Sequence, residues 1–301
     1  MMNIIGRKNI FLTIGGVLVG LSIATMVIFG FQLNIDFYGG SLWQLQIQNA
    51  SSEQVRSFFA SDLKLQVSNV SYDKKADTYS IAFAEITDAQ RQGYLSQLQD
   101  EFGTVKEMDF WSISPAVSSE LKQKAMSAIA FVLLGISLYV AFAFRKVSKP
   151  ISSWKYGIIT LVTLFHDVAI PAGLFAVMGA YRGIAVDINF VVALLVIMGS
   201  SVHDTIVVFD RIRENLLCAG KNYLFTDIVN KSVNETMQRS INTSMTIVVV
   251  LLALYFLGPL SLKFFILTIL VGTVAGTYSS IFIASPLLVI VENLSRKRKN
   301  V

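Results

Sequence analysis

The sequence predicts a polytopic α-helical membrane protein with six transmembrane helices and one α+β, ferredoxin-like extracytoplasmic domain. Three observations carry this. Of the 301 residues, 53% are hydrophobic and only 15% are charged. The apolar residues gather into six runs, several of them long enough for the roughly 20 residues a helix needs to cross a bilayer core. Between the first and second runs, residues 32–121 form a polar block patterned as short strands and capped helices.

The first apolar run, 10–31, follows Arg7 and Lys8. It is too long for a signal-peptide core, and Phe31-Gln32-Leu33 offers no small-x-small cleavage site, so the run is expected to stay as an anchor. Residues 1–31 are therefore an inner segment plus the first span. In the block that follows, Trp43, Leu45 and Ile47 alternate with Leu42, Gln44, Gln46 and Gln48, the period of a half-buried strand. Ser51-x-x-Gln54 and Thr87-x-x-Gln90 are capping-box patterns, each opening a stretch of helical spacing. Residues 63–72 and 78–84 read as two strands across a turn at Asp73-Lys74-Lys75, and 105–113 as a last strand. The order βαββαβ is that of a ferredoxin-like sandwich.

Residues 122–291 should hold five further spans, in the runs 125–144, 156–180, 188–209, 244–257 and 264–291. The fifth is short, the sixth long, and Gly258-Pro259 lies between them. Pro171 predicts a local kink in the third span. Residues 210–243 place Ile212, Leu216, Leu217, Leu224, Ile228 and Val229 at helical spacing among charges, which suits an amphipathic inner loop on the bilayer or against a partner. Residues 292–301 are a basic inner tail.

Charge fixes the expected orientation. Residues 32–121 hold six Lys/Arg and twelve Asp/Glu, a net of −6, so the remainder of this +5 chain carries +11. Arg7, Lys8, Arg145, Lys146, Lys149, Lys155, Arg296, Lys297, Arg298 and Lys299 all fall on one side, with Arg182 and Lys263 opposite. By the positive-inside rule both termini are cytoplasmic and residues 32–121 extracytoplasmic. This division reads as topology, and no nucleic-acid partner is implied. A single cysteine, Cys218, excludes an internal disulfide or a cysteine-cluster metal site, and two histidines on different runs argue against zinc. No phosphate loop, nucleophile elbow or zinc-protease signature is present, so neither enzyme chemistry nor a cofactor is expected.

The candidate site residues are polar groups at membrane depth. Asp204 follows His203 inside an apolar run, where an ionisable side chain costs several kcal/mol unless neutral, paired or hydrated. Ser200 and Asp204 are four apart, as are Ser201 and Thr205, so each pair can share a face. Such a carboxylate can take up and release a proton; the alternative is a structural aspartate that fixes helix packing. His166-Asp167, midway along the third span, allows a polar cluster between spans three and four, or a helix–helix hydrogen bond without a transport role. Arg239, at the entry to the fifth span, reads either as a partner for Asp204 or as a snorkelling arginine. Asn34-Ile35-Asp36-Phe37-Tyr38-Gly39-Gly40-Ser41 is a turn signal in which paired glycines permit close backbone approach.

Two of these segments together resemble a known family. The stretch Ile35-Asp36-Phe37 to Gly39-Gly40 resembles the I-D-F-x-G-G signature of SecF protein-export subunits. Residues 200–215, including Asp204, Thr205, Asp210, Arg211, Arg213, Glu214 and Asn215, are similar to that family's S-x-x-D-T-x-V-V-F-D-R-I-R-E-N signature. His203 stands where the family pattern has asparagine, and Tyr38 where it has threonine. The resemblance implies a member of the resistance–nodulation–division superfamily in the bacterial inner membrane, partnered by SecD. Such a subunit assists unfolded preprotein through the SecYEG translocon, drawing on a proton (or sodium) gradient. Asp204 then matches the membrane aspartate implicated in ion passage, and Arg239 the arginine near the fifth span. Superfamily members are built from two matching six-span halves, so one half implies a second chain. The alternatives are a self-sufficient ion-driven efflux transporter and a structural scaffold of the export complex.

Overall fold

The computed structural model describes residues 2–48, 50–73, 76–145, 151–219 and 224–299. The turn lysines Lys74 and Lys75, the orientation lysines Lys146 and Lys149, and the last two residues of the tail lie outside them. A 3-10 turn, Ile5–Arg7, leads into α1 (Lys8–Phe29); the single turn α2 (Ile35–Tyr38) and β1 (Gly40–Ile47) follow. Next come α3 (Ser52–Ser57) with a π turn at Phe58–Asp62, β2 (Val67–Asp73), β3 (Thr78–Phe83), α4 (Asp88–Phe102) and β4 (Val105–Ile113). The remainder is helical: α5 (Pro115–Ala143), α6 (Ser153–Arg182), α7 (Ile188–Cys218), α8 (Phe225–Leu257), α9 (Lys263–Ser279) and α10 (Ser285–Lys299). A π turn, Ser280–Ala284, joins the last two.

Two compact units are present. One holds Met1–Ile28, Ala128–Leu174 and Asn189–Val301, the other Phe29–Ser127 and Phe175–Ile188.

The second unit contains a four-stranded antiparallel sheet in the order β2-β3-β1-β4, the order a βαββαβ sandwich requires. The alternation in β1 works as the sequence suggests: Trp43, Leu45 and Ile47 are buried and the residues between them are not. Phe58, Phe59 and Leu98 from the helical side complete the core. Trp43 meets Phe59 and Phe110 edge to face, with centroids 6.2 Å and 5.8 Å apart. Both capping boxes close, Ser51 with Gln54 and Thr87 with Gln90, and each fixes where its helix starts.

The first unit is an α-helical bundle. Across the chain, six helical segments among the described residues are long and apolar enough to span a membrane: Ile5–Phe29, Pro115–Ala143, Ser153–Arg182, Ile188–Cys218, Phe225–Leu257 and Lys263–Arg296. The chain is an integral membrane protein. Within their apolar windows 61%, 50% and 61% of α6, α7 and the last span are buried, against 11% of α1 and α5 and 17% of α8. The helices carrying His166, Asp167, His203 and Asp204 are therefore among the most enclosed. Tyr156 and Phe144 stack at 5.0 Å, and Phe209 of α7 meets Tyr156 edge to face at 5.2 Å, which locks one end of α7.

Two boundaries differ from expectation. Residues 210–243 do not form a separate inner amphipathic loop. Instead α7 runs on to Cys218 and α8 begins at Phe225, so the segment is mostly an antiparallel extension of two spans. Its charges support this by pairing across and along the helices. Arg211 bonds Glu235 of α8 at 2.7 Å and Glu214 at 2.5 Å, while Asn215 donates to Ser232 and Glu235, each at 2.8 Å. Helix α5 begins at Pro115, earlier than its apolar run, and a Glu120–Lys124 pair one turn apart lies on this polar first stretch.

Candidate functional site

Asp204 lines a cavity of about 140 Å³ between α7, α8 and α9. Around it lie Ser200, Ser201 and His203 of α7, Thr243, Ser244 and Ile247 of α8, and Gly272, Thr273, Gly276 and Thr277 of α9. The carboxylate is half-buried, its His203 neighbour is exposed, and Ser244 faces it from α8. Thr277 donates to Ser244 at 2.6 Å, and Ser244 in turn donates to the Ser240 carbonyl at 2.9 Å, a hydroxyl ladder that stitches α8 to α9 beside the site. One carboxylate amid six side-chain hydroxyls suits a proton, a hydronium or a small hard cation, for which oxygen is the preferred ligand. A volume of this size also admits several waters.

A second polar cluster sits deeper. Asp167 is fully buried. Its Oδ1 faces His166 Nδ1 at 2.8 Å, and its Oδ2 accepts hydrogen bonds from Ser201 of α7 and, at 2.8 Å, from Ser279 of α9. The polar cluster expected between spans three and four therefore exists, with the sixth span added. His166 stacks over Tyr278 at 6.1 Å, and its Nε2 is buried without a hydrogen-bond partner among the described residues. Ser201 belongs to both clusters, since its side chain lines the Asp204 cavity and its hydroxyl reaches Asp167.

Two expected relay residues stand elsewhere. Thr205 is buried and donates to the carbonyl of Ser201 on its own helix at 3.1 Å; it is not part of the cavity wall. One residue of helix rotates it about 100° away from Asp204, which explains the miss. Arg239 is exposed, and no ion pair joins it to Asp204 among the described residues. It lies one turn of α8 before Thr243, on the face that passes through Thr243 and Ile247 to the cavity.

The segment 34–40 owes its pattern to local geometry. Asp36 Oδ2 accepts the Ile188 N–H at 2.9 Å, so a residue far away in sequence caps the start of α7. Burial pushes the Asp36 carboxyl above its ordinary 3.8; the Ile188 N–H opposes that and the charge of Asp187 adds to it. Gly39 and Gly40 have φ of 81° and 119°, and a Cβ on Gly39 would come within 2.9 Å of the Pro115 backbone. On Gly40 a Cβ would strike the Phe83 carbonyl. Only glycine meets both demands. Phe37 is half-buried and Tyr38 exposed. Asp210 and Arg213 pair at 3.2 Å at the other signature, which, with Arg211, Glu214 and Asn215, holds the α7–α8 extension.

Sequence reasoning missed the α9 wall of the site. Its signal is the run Gly272-Thr273-x-x-Gly276-Thr277, small residues four apart that let helices approach closely. Ser279 carries no such signal, because a serine in an apolar run usually bonds its own helix.

Six apolar spans, a ferredoxin-like domain after the first, and carboxylates enclosed among helices define a polytopic membrane protein of the transport class. Residues 94–294 match the family model described as protein export membrane protein SecD/SecF, C-terminal. The chain is 44% identical over 281 residues to protein translocase subunit SecF of Thermobaculum terrenum, covering 89% of this chain and 87% of that protein. It is 36% identical over 299 residues to protein translocase subunit SecF of Anaerolinea thermophila, covering 97% and 95%. The crystal structure of SecDF, a translocon-associated membrane protein from Thermus thermophilus, superposes with a TM-score of 0.83 at 31% identity. That match covers 97% of this chain and 39% of the SecDF chain, so the present chain spans about two fifths of it. The chain belongs to the SecD/SecF protein-export family, as a SecF subunit of protein translocase.

Proposed function

We propose that this SecF subunit works with SecD as an ion-driven auxiliary of the Sec translocon in the bacterial inner membrane. In this reading both termini are cytoplasmic and residues 32–121 face the periplasm, where they assist unfolded preprotein emerging from SecYEG. The observation that carries it is the Asp204 cavity, an ionisable group among hydroxyls inside a bundle whose family exports protein. Asp204 takes up the coupling ion, His203 stands at the exposed side, Ser200 lines the path, and Arg239 approaches along α8 when the bundle changes packing. Asp167 and His166 form the deeper part of the relay. Charge neutralisation at Asp204 then biases a two-state bundle, which moves the outer domain.

A second chain is part of this reading. Val192, Val196, Gly199 and His203 make an exposed stripe at helical spacing along α7, next to Asp204. A matching six-span half from SecD covers that stripe and closes the cavity. The six hydroxyls beside the Asp204 carboxylate also suit sodium as the coupling ion. Export into vesicles carrying SecYEG, SecD and this chain decides between the ions. With proton coupling, collapse of the pH gradient and membrane potential abolishes the stimulated export and sodium removal leaves it; export indifferent to both gradients contradicts ion coupling.

A further inference from the structure

The Ser279 hydroxyl has two acceptors within reach, Asp167 Oδ2 at 2.8 Å and the Gly276 carbonyl at 3.1 Å. It has one proton to give. With Asp167 ionised, Ser201, Ser279 and the His166 Nδ1–H all donate to the carboxylate, which satisfies both oxygens. With Asp167 protonated on Oδ2, the new O–H needs an acceptor. Ser279 Oγ supplies it once its own proton has turned to Gly276. No heavy atom has to move, and no donor is left stranded. A carboxylate held only for packing needs one complete hydrogen-bond arrangement, and this one has two.

We propose that Asp167 is a second reversible proton site, with Ser279 as the hydroxyl that reverses direction and Ser201 as the link to the Asp204 cavity. Ser201 and Asp204 lie three residues apart on α7, on neighbouring positions of one face. A proton leaves the Asp204 acid and reaches Ser201 Oγ, directly or through cavity water. As it arrives, Ser201 passes its own hydroxyl proton to Asp167 Oδ2. Asp204 ends as a carboxylate, Ser201 as a hydroxyl and Asp167 as the acid. The titratable groups that face Asp167 among the described residues are His166 on its own helix, Asp204 on α7 and, behind the imidazole, Tyr278 on α9; from α1, Gly15 lies near His166. Ser279 ends α9 and immediately precedes the π turn Ser280–Ala284, so its reversal falls where the backbone bonding pattern of the last span changes.

This inference rests on Asp204 as the coupling carboxylate, and the two are separable by infrared spectroscopy of the full chain in its membrane complex. Difference spectra between high and low pH, wild type minus variant, isolate single carboxylic-acid C=O bands. One band is expected to vanish in Asp204→Asn and a distinct one in Asp167→Asn. Ser279→Ala should displace the Asp167 band, and Ser279→Thr, which keeps a hydroxyl, should return it. If no band depends on Asp167 across the pH range, or if Ser279→Ala leaves that band in place, the second site is overturned while the Asp204 reading stands. Loss of only the Asp204-dependent band from the wild-type spectrum overturns the reading of Asp204 and leaves Asp167 as a titrating group.

Discussion

At the scale of single residues, what separates the polar groups in this bundle is how many partners each has. Asp167 has three donors and no exposure, whereas Asp204 is half-buried, lines a cavity and has Ser244 facing it from α8. Arg239 is exposed and has no charge partner among the described residues, so Arg239→Ala should change thermal stability by no more than about 0.5 kcal/mol. The same variant should still sharply lower gradient-driven export; a large loss of stability would instead make Arg239 a structural residue. Asp36 makes a different prediction. Its folded-state value lies above its unfolded one, so its contribution to stability is fully present below the ordinary value of 3.8 and is lost as pH rises through the folded value. Asp36→Asn keeps an oxygen for the Ile188 N–H and has no charge to bury, so it should flatten that part of the stability-versus-pH curve. Asp36→Ala loses the cap and should cost about 1 kcal/mol at neutral pH. Thermal unfolding in detergent across pH reads both.

The scale of elements is where sequence and structure agree most and differ most. The strands and both capping boxes were legible because their signals are local: alternation every two residues, or a hydroxyl three residues before a glutamine. Ser51→Ala should therefore destabilise the sheet domain by about 1 kcal/mol, and Trp43→Ala, which empties the centre of its core, by about 3–5 kcal/mol. A larger effect from the cap than from the core would contradict the packing described for Trp43. The α7–α8 extension was not legible. A charged run after an apolar one reads as a loop when taken alone, and it is contacts made between helices, among them Arg211–Glu235 and Asn215–Ser232, that hold it as two helical extensions. Each exposed pair there contributes little, about 0–1 kcal/mol. Their effect is on register, which decides how α7 presents Asp204. The Asp167 cluster was half legible: the aspartate in an apolar run announces itself, but Ser201 and Ser279 are ordinary until three helices meet.

At the scale of the whole molecule, the chain offers apolar surface on α1, α5 and α8 and an exposed stripe on α7 that carries His203 beside the cavity. The first three suit lipid. The last suits a protein, because it sets an imidazole beside a glycine on an otherwise apolar face. The full chain is expected to co-purify with SecD from membranes, and replacing Gly199 by Trp should break that association while leaving the sheet domain folded; retention of SecD would place the partner elsewhere. The number of spans was legible from the apolar runs, since bilayer thickness sets the length each needs. The proposed SecD half is not announced by any one segment and is argued from the family and from the exposed α7 stripe.

On the proposed function, Asp204 carries the ion whose flow drives export. Gradient-stimulated translocation of a preprotein into vesicles holding SecYEG, SecD and this chain, compared between wild type and Asp204→Asn at equal assembly, tests it most directly. The variant is expected to assemble normally and to lose the gradient-dependent stimulation; stimulation at the wild-type rate in Asp204→Asn would overturn the ion-carrying role of Asp204.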